Sequence, residues 1–67
     1  MDPEDVKLSD VLFEFRRIGN YVRVNAIDVR SNTEISMVGD PTMGQTTLKR
    51  AAMKKLKYVI AKNASGR

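Results

Sequence analysis

The apolar residues of this chain change their spacing near residue 40, and this change limits the fold more than any other feature. Before it they alternate with polar residues, which is the pattern of a strand with one buried face. After it they recur every three or four residues, which is the pattern of a helix with one buried stripe. A chain of 67 residues forms one small domain with a single core. The sequence therefore predicts an α+β domain.

The first two strands, residues 11–18 and 21–28, are predicted to pair as an antiparallel hairpin. Gly19 and Asn20 between them both tolerate a positive φ, which a tight two-residue turn requires. With this turn the apolar faces of the two strands coincide, and a slip of one residue would separate them. The facing pairs are then Ile18 with Tyr21, Phe15 with Val24, and Phe13 with Ala26.

A four-residue loop, residues 29–32, is predicted to lead into a third strand at residues 33–38. Asn32 is able to take the left-handed conformation that ends such a loop. A three-residue loop would place Ile35 and Met37 on the wrong face, so the four-residue loop is preferred. The predicted sheet is a three-stranded antiparallel meander.

A C-terminal helix is predicted to follow the meander. Gly-Asp-Pro at residues 39–41 ends the third strand, and Thr42-x-x-Gln45 has the form of a capping box. The helix should begin between residues 42 and 46 and pack across one face of the sheet. Asn63 and Gly66 are predicted to mark its end. The predicted core of sheet and helix consists of Phe13, Phe15, Val22, Val24, Ala26, Ile35, Met37, Leu48, Ala52, Leu56, Val59 and Ile60.

Three parts make up the predicted domain organisation. Residues 1–10 form an acidic N-terminal segment that is either flexible or a short helix with an Asp2 cap and Pro3 in its first position. Residues 11–62 form a single βββα domain, and residues 63–67 form a flexible C-terminus. The acidic segment is placed to screen the basic helix, either within one chain or between two chains.

Composition removes several classes of protein from consideration. The chain contains no cysteine and no histidine, which excludes disulfides and the commonest zinc sites. Its N-terminal residues have neither a basic segment nor an apolar run, so no secretory signal and no membrane span are expected. We expect a cytoplasmic protein without a metal ion or cofactor.

The sharpest formal motif lies at residues 39–46, which match the phosphate-loop pattern G-x-x-x-x-G-K-[ST] except at one position. Gln45 stands where the phosphate-binding lysine belongs, and the chain has no room for the parallel sheet of such enzymes. These residues are interpreted as a plain strand-to-helix connector, although a helix N-terminus retains a weak preference for anions.

No catalytic group can be recognised from spacing. Ser9, Ser36 and Ser65 have no recognisable base, while Asp28 and Glu34 are better explained as a turn cap and an exposed strand residue. The protein is therefore predicted not to be an enzyme.

The sheet face away from the helix is the first candidate binding surface. In the predicted register Arg16 lies directly opposite Arg23, a pairing that is unfavourable unless an acidic group approaches it. Tyr21 and Ile27 lie on the same face, so a protein partner or a homodimer is predicted there. The alternative is that both arginines are ordinary surface residues, which extend into water along their aliphatic neighbours.

The basic helix face is the second candidate. Residues 46–62 carry six basic side chains and no acidic one, and Arg50, Lys54 and Lys57 are predicted to lie opposite the core. The functional interpretation is non-specific binding of nucleic-acid phosphates, and the competing one is an ordinary solvated lysine face.

The ordered segments FEFRRIGNYVRVNAIDVRSNTEISMVG and LKRAAMKKLKYVIAK contain the motifs R-x-G-N, V-x-V-x-A-I-D, T-E-x-S-x-V-G and L-x-R-x-A-x-x-K-L-x-Y-V. Through these motifs the chain resembles a family of small, uncharacterised bacterial proteins, a domain of unknown function. The resemblance covers about residues 11–62. It implies no activity, cofactor or catalytic residue.

Overall fold

The computed structural model describes residues 1–65 as a three-stranded antiparallel sheet followed by one helix, which confirms the predicted α+β fold. The helix packs on one face of the sheet, mainly against its second and third strands. The three strands lie side by side in chain order, which is the order of a meander. The elements are a short 3₁₀ helix Pro3–Asp5, strands β1 Val11–Ile18, β2 Tyr21–Asp28 and β3 Thr33–Gly39, and helix α1 Gln45–Ser65.

The first hairpin has the predicted register, with Phe15 opposite Val24 and Phe13 opposite Ala26. Of the two turn residues only Gly19 has a positive φ, of 60°. A positive φ at the first central residue alone corresponds to a type II′ turn, whose twist suits an antiparallel hairpin. The sequence predicted the position of this turn but allowed positive φ at both residues.

The second turn is the predicted four-residue loop, because Asp28 pairs with Thr33 across it. Asn32 ends the loop with a φ of 57°, the left-handed conformation expected there. The carboxylate of Asp28 accepts hydrogen bonds from the backbone N–H of Ser31 at 3.1 Å and from its hydroxyl at 2.7 Å. The aspartate thus fixes the start of the loop.

The core lies between α1 and the helix-facing side of β2 and β3. Its fully enclosed residues are Val24, Ala26 and Ile35 from the sheet, and Leu48, Ala52 and Leu56 from the helix. The other predicted core residues, Phe13, Phe15, Val22, Met37, Val59 and Ile60, are half-buried around this centre. Val6 and Ala61 are buried as well, and the sequence did not predict them.

The end of β3 lies tightly against the first turns of α1. A Cβ atom added at Gly39 would overlap the buried side chain of Leu48. The glycine therefore does more than stop the strand, since it allows close approach of helix and sheet.

The predicted capping box does not form. The helix begins at Gln45, within the predicted window, and the N–H of Leu48 donates to the carbonyl of Gly44 at 3.1 Å. The hydroxyl and the N–H of Thr42 instead both donate to Asp40 Oδ1 at 2.9 Å. A capping box needs the Gln45 side chain to accept from the Thr42 N–H, but a carboxylate two residues away is a stronger acceptor and takes that N–H.

The helix passes the first of its two predicted end markers. It runs through Asn63 and continues to Ser65, so residues 63–65, which were predicted as part of a flexible C-terminus, are helical. One asparagine costs a helix only about 0.7 kcal/mol relative to alanine, which is too little to stop it. Gly66, the other predicted end marker, lies outside the described residues. Within residues 1–65 no helix combines the length and apolar character needed to cross a membrane.

Candidate functional site

The sheet face turned away from α1, here called the open face, is ordered in four rows of facing side chains. They are the leucine row (Leu12, Ile27, Glu34), the glutamate row (Glu14, Asn25, Ser36), the arginine row (Arg16, Arg23, Val38) and the tyrosine row (Ile18, Tyr21).

The glutamate row is a hydrogen-bonded ladder across all three strands. Ser36 Oγ donates to Asn25 Oδ1 at 2.7 Å, and Asn25 Nδ2 donates to Glu14 Oε1 at 3.2 Å. The ladder holds these side chains in place across the face. Sequence reasoning missed it, although the predicted register already placed these three polar residues opposite one another.

The arginine row brings Arg16 directly opposite Arg23, as predicted. Among residues 1–65 neither guanidinium has an ion-pair or hydrogen-bond partner. Like charges at facing positions of a sheet repel each other. This row therefore offers two exposed cations to an acidic group from outside the domain.

Large apolar side chains surround these charges on the open face. Leu12 is 60% exposed, Val38 62% and Tyr21 41%, while Ile18 and Ile27 are half-buried. No element within residues 1–65 covers this face. The four predicted partner-binding residues Arg16, Tyr21, Arg23 and Ile27 therefore share one surface, as the sequence indicated.

The basic residues Arg50, Lys54 and Lys57 line one wall of a cleft of about 500 Å³. Its opposite wall is the N-terminal 3₁₀ helix with Asp2 and Glu4. Arg50 and Lys54 are exposed and Lys57 is half-buried. The acidic N-terminal segment therefore lies alongside the basic helix face within one chain, which is one of the two arrangements that the sequence left open.

Two further basic residues of α1 reach towards the sheet. Lys49 Nζ lies 5.5 Å from the centroid of the Phe13 ring, a cation–π contact. Lys55 Nζ donates to the carbonyl of Ser36 at 3.1 Å. These two lysines are engaged within the fold, so the basic helix face is narrower than its sequence suggests.

Comparison with known proteins shows that residues 8–63 match a family described as a domain of unknown function, DUF6898. The chain belongs to this family. The DUF6898 match contains the whole open face and excludes Asp2, Pro3 and Glu4 of the cleft. No curated protein and no solved structure matches the chain. The predicted resemblance to a domain of unknown function is confirmed.

The connector at residues 39–46 of the DUF6898 domain is organised around Asp40. The backbone N–H of Thr42 lowers the pKa of this carboxyl, and the threonine hydroxyl lowers it further. The side chain is therefore ionised at neutral pH. A phosphate approaching this helix end would meet a carboxylate instead of the lysine of a phosphate loop.

Asp28 is the only buried charged residue among residues 1–65, with 2% of its surface exposed. The hydrogen bond from the Ser31 hydroxyl is the main cause that lowers its pKa, and burial opposes this effect. Its second oxygen, Oδ1, makes no hydrogen bond within these residues. The aspartate serves the turn, as the sequence predicted, but its burial was not foreseen.

Replacing Asp28 by asparagine is expected to destabilise the DUF6898 domain by about 1–3 kcal/mol at pH 7, since a charge-assisted bond is lost. Because the pKa of Asp28 is lower in the folded state, its ionised side chain stabilises the fold at pH values above its pKa in the unfolded chain, about 3.9. This stabilisation is lost as the pH falls through the pKa of the folded state. Urea unfolding at pH 7, 4 and 3 should show the difference from the unmodified protein shrinking on acidification.

Ser31→Ala provides the control for this prediction. This substitution removes the hydroxyl that donates to Asp28, so it should also lower the free energy of unfolding. The double variant should lose less stability than the sum of the losses of the two single variants, because both remove the same hydrogen bond. An Asp28→Asn protein as stable as the unmodified one at pH 7 would show that this bond does not hold the turn.

The remaining chemistry of the DUF6898 domain is sparse. Within residues 1–65 no three side chains of the types that hold metal ions lie together. Ser36 is engaged in the ladder, and Asp28 is engaged in the turn. The arrangement is suited to contact with another molecule through the open face or through the cleft.

Proposed function

We propose that this DUF6898 domain is a non-enzymatic interaction module that self-associates through its open face. The observation that carries the proposal is the unpartnered pair Arg16 and Arg23 lying among exposed Leu12, Val38 and Tyr21. An exposed apolar surface rimmed by charge is typical of a protein-binding site.

The small size of the domain supports a second copy as the partner. A chain of 67 residues buries a modest fraction of its surface, and small domains often gain stability by association. Here one sheet face is covered by α1 and the other is not. Packing two open faces together would give each sheet a second layer, as in a sandwich.

The dimensions of the open face predict a weak dimer. Strands of eight residues, such as β1 and β2, give a face of about 26 Å by 15 Å, or a planar area of about 400 Å². Standard interfaces bury about 800 Å² of accessible surface per partner, so this face lies at the lower end. We expect a dissociation constant in the micromolar range or weaker.

The shape of the open face favours a protein over a small ligand. The concavity beside Leu12 and Ile27 on this face has a volume of about 140 Å³. Ligand pockets usually enclose about 300–1,000 Å³. A flat face with apolar and charged rows is better suited to another flat face.

Sedimentation velocity of the purified protein tests this proposal. Between about 10 μM and 1 mM the sedimenting species should change from the 7.5 kDa monomer to a dimer at physiological salt. A monomer throughout this range would contradict self-association.

Nucleic-acid binding through Arg50, Lys54 and Lys57 is the second candidate function. The exposed positions of Arg50 and Lys54 on one side of α1 favour it. Asp2 and Glu4 on the facing wall oppose it, because they would repel phosphates from the same cleft. The open face is therefore the better supported site.

An amide-resolved NMR titration with a short duplex DNA and a short single-stranded RNA tests nucleic-acid binding through these basic residues. We expect no salt-sensitive shifts at Arg50, Lys54 and Lys57, since acidic neighbours offset their attraction for phosphates. Shifts confined to these residues that fade at raised salt would make nucleic-acid binding the leading function. Reversing the charges of Arg50 and Lys54 would then abolish them.

A further inference from the structure

Along the strands, the four rows of the open face follow the order leucine, glutamate, arginine, tyrosine. This order is complementary to the same order running in the opposite direction. The outer leucine and tyrosine rows carry the apolar residues Leu12 and Ile27 at one end, and Ile18 and Tyr21 at the other. Between them the glutamate row carries the carboxylate of Glu14, and the arginine row carries two guanidinium groups. Reversing the order places Glu14 at the level of Arg16 on β1 and Asn25 at the level of Arg23 on β2, and it exchanges apolar residues at the two ends of both strands.

We infer that the partner is a second copy related by a two-fold axis that runs across the strands, between the glutamate row and the arginine row. This inference rests on the proposed self-association and specifies its geometry. The axis places each strand over its own copy in the opposite direction. Glu14 of each chain then faces Arg16 of the other, and Leu12 faces Ile18.

A two-fold interface requires a surface that is complementary to itself, and only one of the two in-plane axes provides this. An axis parallel to the strands would leave β2 over its own copy in the same direction. Arg23 would then face Arg23, and the second copy would add to the repulsion already present in the arginine row. The axis across the strands avoids this contact.

The side chains of Glu14 and Arg16 are both available for this pairing between chains. Glu14 accepts one hydrogen bond from Asn25, which leaves acceptor capacity on its carboxylate, while Arg16 has no partner among residues 1–65. Arginine and carboxylate pair with two parallel hydrogen bonds when geometry permits. Packed sheets cross at about 30°, which displaces a strand one spacing from the centre by only about 2.5 Å. Long side chains accommodate that displacement.

The rim of the face is consistent with this geometry. Glu34 lies on the edge strand β3 at the outer end of the leucine row and is exposed. In the two-fold arrangement it comes to the level of Asp40, the exposed residue that follows β3, and both carboxylates lie at the edge of the dimer, where water and salt screen their repulsion.

Charge reversal at two positions tests the geometry without disturbing the core, because both side chains are exposed. Glu14→Arg places arginine opposite arginine in the dimer, and Arg16→Glu places glutamate opposite glutamate. Each variant alone should dimerise at least about tenfold more weakly than the unmodified protein. An equimolar mixture of the two should regain dimers, since both cross-chain pairs become arginine with glutamate.

Sedimentation velocity of each variant and of the mixture, with circular dichroism to verify folding, provides the readout. Recovery in the mixture supports the inferred axis. If the unmodified protein dimerises but the mixture does not exceed either variant alone, the axis is wrong and self-association stands. If the unmodified protein is monomeric at every concentration, the proposed function itself fails, and the inference fails with it.

Discussion

Leu56→Ala is expected to lower the free energy of unfolding by about 2–5 kcal/mol, because it leaves a cavity in the centre of the core. Leu56 is fully buried between α1 and the sheet. A domain of 67 residues has a total stability of only about 3–10 kcal/mol, so this variant should be partly unfolded at room temperature. The shift of the urea unfolding midpoint measures the effect.

Leu12→Ala is the matched control for this prediction. It makes the same change on a leucine that is 60% exposed on the open face. Studied at a concentration where the protein is monomeric, it should cost less than about 1 kcal/mol. Equal costs for the two variants would mean that the helix does not pack on the sheet through Leu56.

Tyr21→Glu should weaken self-association by roughly 30-fold or more, which corresponds to about 2 kcal/mol. Tyr21 is 41% exposed in the tyrosine row, where the proposed dimer covers it. A carboxylate in that position would lose its water and face an apolar row of the second copy. The change in dissociation constant from sedimentation measures the effect. Ile27→Glu should act in the same direction.

Tyr58→Glu separates an effect of the open face from a general effect of added charge. Tyr58 is 56% exposed on α1, on the opposite side of the domain from the open face. The same substitution there should leave the dissociation constant within about twofold, since surface changes away from an interface have small effects. Comparable weakening by both variants would rule out the open face as the specific interface.

The sequence predicted the sheet well because each turn restricts the register independently. Gly19 and Asn32 both have positive φ, and the alternation of apolar residues permits only one alignment of the strands they connect. The opposition of Arg16 and Arg23 followed directly from that register. The candidate partner-binding surface was therefore predictable once the turns were known.

The N-terminal segment was harder to predict. Val6 is buried, yet it is one of a few apolar residues scattered without periodicity in an acidic stretch, so nothing in the sequence indicates its packing. The position of this segment beside Arg50 and Lys54 follows from that packing. The sequence predicted that the acidic segment screens the basic helix but left open whether it does so within one chain or between two chains, and the structure places it there within one chain.

Local competition explains the errors around the helix. Thr42 fits a capping motif, but its N–H, which was expected to donate to the Gln45 side chain, donates to the carboxylate of Asp40. Asn63 weakens a helix without ending one, and the chain continues helically to Ser65. At Thr42 a neighbouring hydrogen-bond acceptor outweighed the capping motif. At Asn63 the helical propensity of the neighbouring residues outweighed a single asparagine.

Amide-resolved NMR of the uniformly labelled protein over a dilution series tests the central claim most directly, because it locates the self-association surface without any substitution. The proposed dimer predicts concentration-dependent shifts in all four rows of the open face, with none along Arg50, Lys54 and Lys57. Spectra that do not change on dilution, or changes confined to the helix, would contradict it.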